Sequence, residues 1–585
     1  MQKSQISNLI RILKSYLSIL KNLNKSDVFL IGLFIISFIQ FFFSRYTPSL
    51  DAPQHLHAIN NLVEIIKGNS LISDYFEINK VIVGYWMPHF IIGLFHLFLP
   101  SWMAEKIYLI IYIFGMVYSF RYLIKSIDPE NKSLVWLVIF SFIFSSYQLL
   151  GYYAFSFAAI FYFTGLGYWF RYLNNFNAKR ILTFIVILIL LFLSHGFVFA
   201  FWCLSIGIIF IGQNIKEFLN KSYIQIFRKL LILIISVLPA FIMFIYYIKN
   251  VMGINNVVQD YYLSFKDQLF EFFRLRILVG YNHSVEARTY IPIFITLALL
   301  TIYAFILFIK NKEKNITDKL TQNKNLFVYV SIIFLILYFF APNRISAGSL
   351  TNRFGLFFFF NLIIWLSLNK YPNKVQYFLV FIVFISMLHT RILNISVYHN
   401  QKNQIAELKE LEQYIEPGSV VCHYVKSENW FHPHFGLYVG TDLPLINVKI
   451  PQCSGQFPLV WKKDIPSIFL AENNISPNAH SSEHVYDSIR FVDYIIIFYD
   501  KQFWNSKEDA ENQVRIKCFF EHAYTSSNKL VSLYRFKVPD EIKSLKNTDG
   551  ISKSNINSRT MNQHKLQLMS AYLERFKENP NILKN

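Results

Sequence analysis

Over most of this chain the apolar positions neither alternate nor mark one face of amphipathic helices. They come in long, almost unbroken runs: 28–43, 104–123, 133–150, 155–171, 181–212, 229–248, 289–309, 325–341, 354–369 and 375–390. A helix needs roughly 20 apolar residues to cross about 30 Å of hydrocarbon, and many of these runs approach that length. The run 181–212 is too long for one span and is interrupted at Ser194-His195-Gly196, which predicts two short helices meeting there. The pattern predicts a polytopic α-helical membrane protein with about 11 transmembrane helices. After residue 391 charged residues return and the apolar runs shrink to strand length at 419–422, 492–498 and 529–534. Those predict an α/β domain over 391–540, followed by a polar tail at 541–585 with one helix near 561–577.

Composition agrees with the runs. Of 585 residues, 54% are hydrophobic and only 16% charged, where a soluble chain carries about 25%. The net charge of +20 would fit a nucleic-acid partner, but its distribution argues against one. Lys and Arg cluster in short connections: Arg121, Lys125 and Lys132; Arg171, Lys179 and Arg180; Lys216 to Lys229; Lys310 to Lys324; Lys370 and Lys374. Cytoplasmic loops of membrane proteins show this bias. All these loops fall on the cytoplasmic side if 84–99 lies along the opposite surface, and all move outside if 84–99 crosses. Charge therefore favours an interfacial 84–99, a cytoplasmic amino terminus and an extracytoplasmic carboxyl-terminal domain. Residues 1–27, with Ile6, Leu9, Leu13 and Leu17 at helical spacing among Arg11 and Lys14, predict a cytoplasmic surface helix. The domain 28–390 then carries outer loops at 44–103 and 249–288. The Ile-, Asn-, Lys- and Phe-rich composition suggests a low-GC bacterial coding sequence and hence an inner (plasma) membrane location.

This topology collects the polar residues of interest on one face. Asp51-Ala52-Pro53-Gln54-His55-Leu56-His57 follows the first apolar run directly. A carboxylate and two imidazoles there can handle protons or bind a cation. Asp51 can equally serve as the N-cap of a helix over 54–67. On that helix His55 and His57 point to different sides, so one of them at most shares a pocket with Asp51. His195 sits at the break between two apolar helices, as a functional group or as a capped turn. Arg344 and Arg353 flank a run of small residues at headgroup depth, where guanidinium suits phosphate and the bland reading is snorkelling. The charges of loop 249–288, among them Arg276 and Glu286, read as the solvated face of an amphipathic lid. Of four cysteines, Cys203 lies in a span, and an oxidising compartment would permit one disulfide among Cys422, Cys453 and Cys518. No Cys/His spacing suggests zinc.

These features together resemble the GT-C superfamily of integral membrane glycosyltransferases. The resemblance rests on Asp51 in the Asp-Ala-Pro-Gln-His run, on Gly151-Tyr152-Tyr153-Ala154-Phe155-Ser156-Phe157, on Ser194-His195 and on the strands near 491–498 and 524–536. It implies transfer of a sugar from a polyprenyl-phosphate donor to a lipid, glycan or protein acceptor at the extracytoplasmic face. In that reading Asp51 is the general base, Arg353 with Arg344 clamps the phosphate, and His55 and His195 orient base or donor. All would share one chamber. Some relatives pair the first-loop acid with a divalent metal. This loop has no paired-acid motif, so no cofactor is expected, with a metal left open. Two rivals stand beside this reading: a transporter or flippase of a lipid-linked saccharide, and a non-catalytic envelope polysaccharide assembly protein.

Overall fold

The structure is a computed structural model that describes residues 25–252, 264–310, 316–342, 350–427, 429–462, 492–499, 516 and 520–536. The expected amino-terminal surface helix, the polar tail, Arg344 and Cys518 lie outside the described residues. Among the described residues, seven helices are long and apolar enough to cross a membrane by length and composition: Ser101–Ile127, Gly196–Leu219, Tyr223–Val251, His283–Lys310, Asn323–Phe340, Leu350–Ser367 and Asn373–Tyr414. The other apolar runs form Asp27–Phe42, Val135–Leu150, Tyr153–Tyr172 and Ala178–Ser194. Leu350–Ser367 is buried almost throughout, whereas Tyr223–Val251 leaves most of its apolar side chains partly or fully exposed. Exposed Ile234, Leu238, Phe241 and Ile242 would be costly in water and are at home against lipid tails.

Trp86–His96 is a helix of 11 residues. At about 1.5 Å per residue it falls far short of the bilayer core. The helix Asn373–Glu410 runs straight through the change of texture at 391, because nothing in that stretch breaks a helix. Gly and Pro return together only at Pro417-Gly418, where Gly418 takes a φ of +78°.

The chain forms two compact units. One comprises Met1–Arg45 and Leu109–Tyr398 and holds most of the apolar helices. The other comprises Tyr46–Tyr108 and His399–Asn585, so the first loop belongs to the same unit as the carboxyl-terminal segment. Strand pairing explains why. Phe76–Ile78 (β1), in the loop, pairs antiparallel with Leu459–Trp461 (β4). Val420–Lys426 (β2), Ile446–Asn447 (β3), Tyr494–Tyr499 (β5), Phe520–Thr525 (β6) and Val531–Phe536 (β7) form a mixed sheet in the order β3-β2-β5-β7-β6. Strand β2 runs parallel to β3 and β5, while β7 is antiparallel to β5 and β6. Cys422 and Cys453 are buried free thiols in the apolar core between this sheet and the loop, beside Ile72, Phe76 and Ile495.

Candidate functional site

The helix Ala52–Ile66 positions the first group. Pro53 fits its opening turn, and it ends where Gly68 adopts φ +83°. Twelve of its fifteen residues, an unbroken stretch from Ala52 to Val63, are buried. A helix buried all round must pair every polar side chain it carries. His57 sits between two carbonyls, with Nδ1 3.1 Å from that of Val439 and Nε2 3.2 Å from that of Leu445, and its ring, kept neutral by burial, donates to one of them. Asn60 Nδ2 donates to the carbonyls of Gly440 and Leu443, and Asn61 Nδ2 to that of Leu445. His96 Nε2 lies 3.0 Å from Asn60 Oδ1. One side of the helix is therefore stapled to backbone at 439–445. Gly440 is required there, because a Cβ would come within 2.5 Å of His57 Cε1.

The other side carries Asp51 and His55. Asp51 occupies the N-cap position, yet its side chain makes no capping bond; Ser49 Oγ accepts from the Ala52 N–H instead. The carboxylate receives a hydrogen bond from Gln54, and its Oδ1 lies 3.8 Å from Nε2 of His434. Burial pushes the Asp51 carboxyl up from 3.8 to about 7, against the Gln54 bond. Burial pushes His434 down to about 4, so the pair meets as neutral imidazole and titrating carboxyl rather than as an ion pair. His55 is held well below its ordinary value by burial and by His89 and His434 nearby. Its ring meets that of His89 edge-on at 5.2 Å, with Phe457 against both. His89 Nδ1 donates to the Tyr85 carbonyl at 2.9 Å, which leaves Nε2 as an acceptor with no partner among the described residues. His434 was not singled out from the sequence, and His89 counted there only as a polar position of the interfacial segment 84–99. The His432-Pro433-His434 run, so like the opening of the Asp51 helix, was the available signal.

The second group lies in the helical unit. Arg353, on Leu350–Ser367, is 4% exposed. Its guanidinium lies 5.0 Å from the ring centre of Phe155, 5.6 Å from Tyr147 and 5.9 Å from both Tyr152 and Phe197. Gly151, at φ +89°, makes the turn that brings Tyr147, Tyr152 and Phe155 around the cation. His195 sits in extended backbone between Ala178–Ser194 and Gly196–Leu219, and its Nδ1 accepts from the Phe197 N–H, capping the second helix. Its ring meets Phe155 edge-on at 5.3 Å. Arg353 and His195 thus share one aromatic cluster. Asp51 and His55 share another group in the other unit.

One reading of loop 249–288 is changed by the structure. Glu286 is fully buried rather than solvated, and accepts from the N–H groups of Gly280, Tyr281 and Asn282. The reason is that it ends up inside the first turn of His283–Lys310, closing the tight turn that precedes it. The amphipathic stretch is a helix at Phe265–Phe273, where Phe272 packs on Phe294, Tyr338 and Phe359 while Phe265, Phe270 and Phe273 stay exposed. Arg391 went unnoticed because the apolar run closes one residue before it. It is buried, with Nη1 donating to Gln40 Oε1 at 2.9 Å and Phe144 beneath it at 3.9 Å. Among the described residues, no three His, Cys, Asp or Glu side chains are grouped so as to hold a metal ion.

No protein-family model matches this sequence, and none of the curated proteins does. Among solved structures, the chain is similar to the oligosaccharyltransferase of Archaeoglobus fulgidus, crystallised in complex with zinc and sulfate. The TM-score is 0.36 at 12% identity, over 86% of this chain and 73% of that one.

Proposed function

We propose that this chain is a membrane glycosyltransferase that moves a sugar from a polyprenyl-phosphate donor to a hydroxyl of a lipid, glycan or protein, with Asp51 as general base. The observation that carries the reading is the state of Asp51. It stands where a helix cap is needed but does not cap, and burial brings its carboxyl to about 7. A base is most effective when its pKa lies near the working pH. The acceptor oxygen attacks the anomeric carbon as its proton passes to Asp51. The bond from that carbon to the phosphate oxygen breaks, and the configuration inverts. Arg353 meets the charge left on the departing lipid phosphate, with the aromatic rings around it holding the guanidinium in place. His55 and His195 orient base and donor.

The test uses the detergent-purified full chain with radiolabelled polyprenyl-phosphate sugars and a panel of acceptor hydroxyls. Wild type should release polyprenyl phosphate, with kcat/KM rising about tenfold per pH unit below about 7 and level above it. Asp51→Asn should lose about 10²–10⁴-fold in kcat. Arg353→Gln should lose about 10²-fold, in line with removal of one charge-stabilising contact. Movement of intact donor across vesicles, unaffected by Asp51→Asn, would establish the transporter reading instead. Absence of both turnover and movement would leave the assembly role.

A further inference from the structure

Within the helical unit a cavity of about 700 Å³ opens between Asp27–Phe42, the end of Ser101–Ile127, the segment 131–137 and the start of Asn373–Glu410. Its polar wall is basic. Arg121, Lys125 and Lys132 line it, against Asp27 as the single acid among the lining residues. The Arg121 guanidinium lies over the Trp136 ring at 4.7 Å, and its Nη1 has no hydrogen-bond partner among the described residues. Among the described residues none of the three cations forms an ion pair with a carboxylate, although Lys125 donates to the Pro129 carbonyl. The frame is rigid: the Leu134 N–H donates to Gln376 Oε1 at 2.7 Å and Asn131 Nδ2 to the Ser367 carbonyl at 3.0 Å. The remaining wall is apolar, with Leu30, Val117 and Leu137. Beside the cavity the same helices present exposed Val28, Ile31, Tyr118 and Phe378, which face lipid in a membrane-embedded chain.

A pocket with a basic end and an apolar flank opening onto lipid-facing helix surfaces is matched by one kind of molecule, an anionic headgroup attached to acyl chains. We propose that this cavity binds the headgroup of an anionic glycerophospholipid, with Arg121, Lys125 and Lys132 on the phosphate and the acyl chains along the faces of Ser101–Ile127 and Asn373–Glu410. The cluster Arg121, Lys125 and Lys132 is one of those that orient the chain by its basic loops, so the bound lipid belongs to the cytoplasmic leaflet. The inference is independent of the proposed transferase chemistry. It would hold for a transporter as well.

The full chain in neutral detergent is titrated with phosphatidylglycerol, phosphatidylcholine or inorganic phosphate, and bound lipid is counted by native mass spectrometry beside the thermal midpoint. Phosphatidylglycerol should bind about tenfold more tightly than phosphatidylcholine, and the preference should weaken as salt is raised. Lys125→Gln/Lys132→Gln, at partly and fully exposed positions, should keep the fold and lose that preference. Arg121→Lys, which keeps the charge but not the planar fork, should reduce it. Equal binding of both lipids, or an undiminished preference in the double variant, overturns the site. Protection by inorganic phosphate as strong as that by phosphatidylglycerol overturns the lipid assignment.

Discussion

Asp51→Asn isolates a cost that the fold bears at neutral pH. The substitution keeps shape and volume but removes the only form of the side chain that burial penalises. Raising the carboxyl from 3.8 to about 7 means the native state holds a proton that the unfolded chain has released. Its contribution is therefore fully present below about pH 3.8, falls as pH rises, and is gone above about 7. At about 1.4 kcal/mol for each factor of ten, that interval amounts to roughly 4 kcal/mol. The histidines of the same cluster work in the opposite sense. Their values are lowered, so they stabilise above about 6.5 and lose that as pH falls, which makes the wild-type profile a composite. The difference between the two proteins removes them. Thermal midpoints taken at one scan rate in detergent, from pH 4.5 to 8.5, should nearly coincide at the acid end. They should diverge through pH 5–7, with Asp51→Asn melting several degrees higher above pH 7. A constant offset across the range would refute the account, because it would mean Asp51 titrates as an ordinary solvated acid. The general-base assignment would lose its support at the same time.

Gly440→Ala would force a methyl against His57 at a φ of +97° and should lower stability by about 2 kcal/mol or more, read as a lower thermal midpoint. Asp442 accepts from Tyr46 Oη at 2.7 Å and from the Ser101 N–H at 2.7 Å, beside Lys409 at 3.2 Å, and is held down at about 2. Its contribution of about 2 kcal/mol is present above pH 3.8 and lost as pH falls through about 2. Asp442→Asn should remove that acid-sensitive component from a denaturation series. Cys422 and Cys453 should stay unlabelled by maleimide in the native chain and react fully in denaturant, since both are buried and burial raises the Cys422 thiol to about 11.

The three strands visible in the sequence are β2, β5 and β7, which lie side by side in the middle of the sheet. Strands buried on both faces, such as Tyr494–Tyr499, read as unbroken apolar runs. The edge strand Phe520–Thr525 escaped notice because Glu521 and His522 are exposed, and β3 is only two residues long. Charge pattern and run length made the membrane helices legible. The pairing of β1 with β4 was not, since it joins segments nearly four hundred residues apart through backbone bonds that no side chain announces. At the site, the helical spacing of His55 and His57 gave the direction of each ring, but not what waits there. The Val439 and Leu445 carbonyls and His434 come from the far end of the chain.

The stapling of Asn60 and His57 to residues 380 and 382 positions later has a consequence for biogenesis. At about 5–20 residues per second, the ribosome delivers the partner segment roughly 20–80 seconds after the helix. For that interval its amides and imidazoles have no carbonyls to meet. Nascent chains arrested before residue 440 should therefore be cut readily by protease at 52–66, and chains released beyond 445 should resist it.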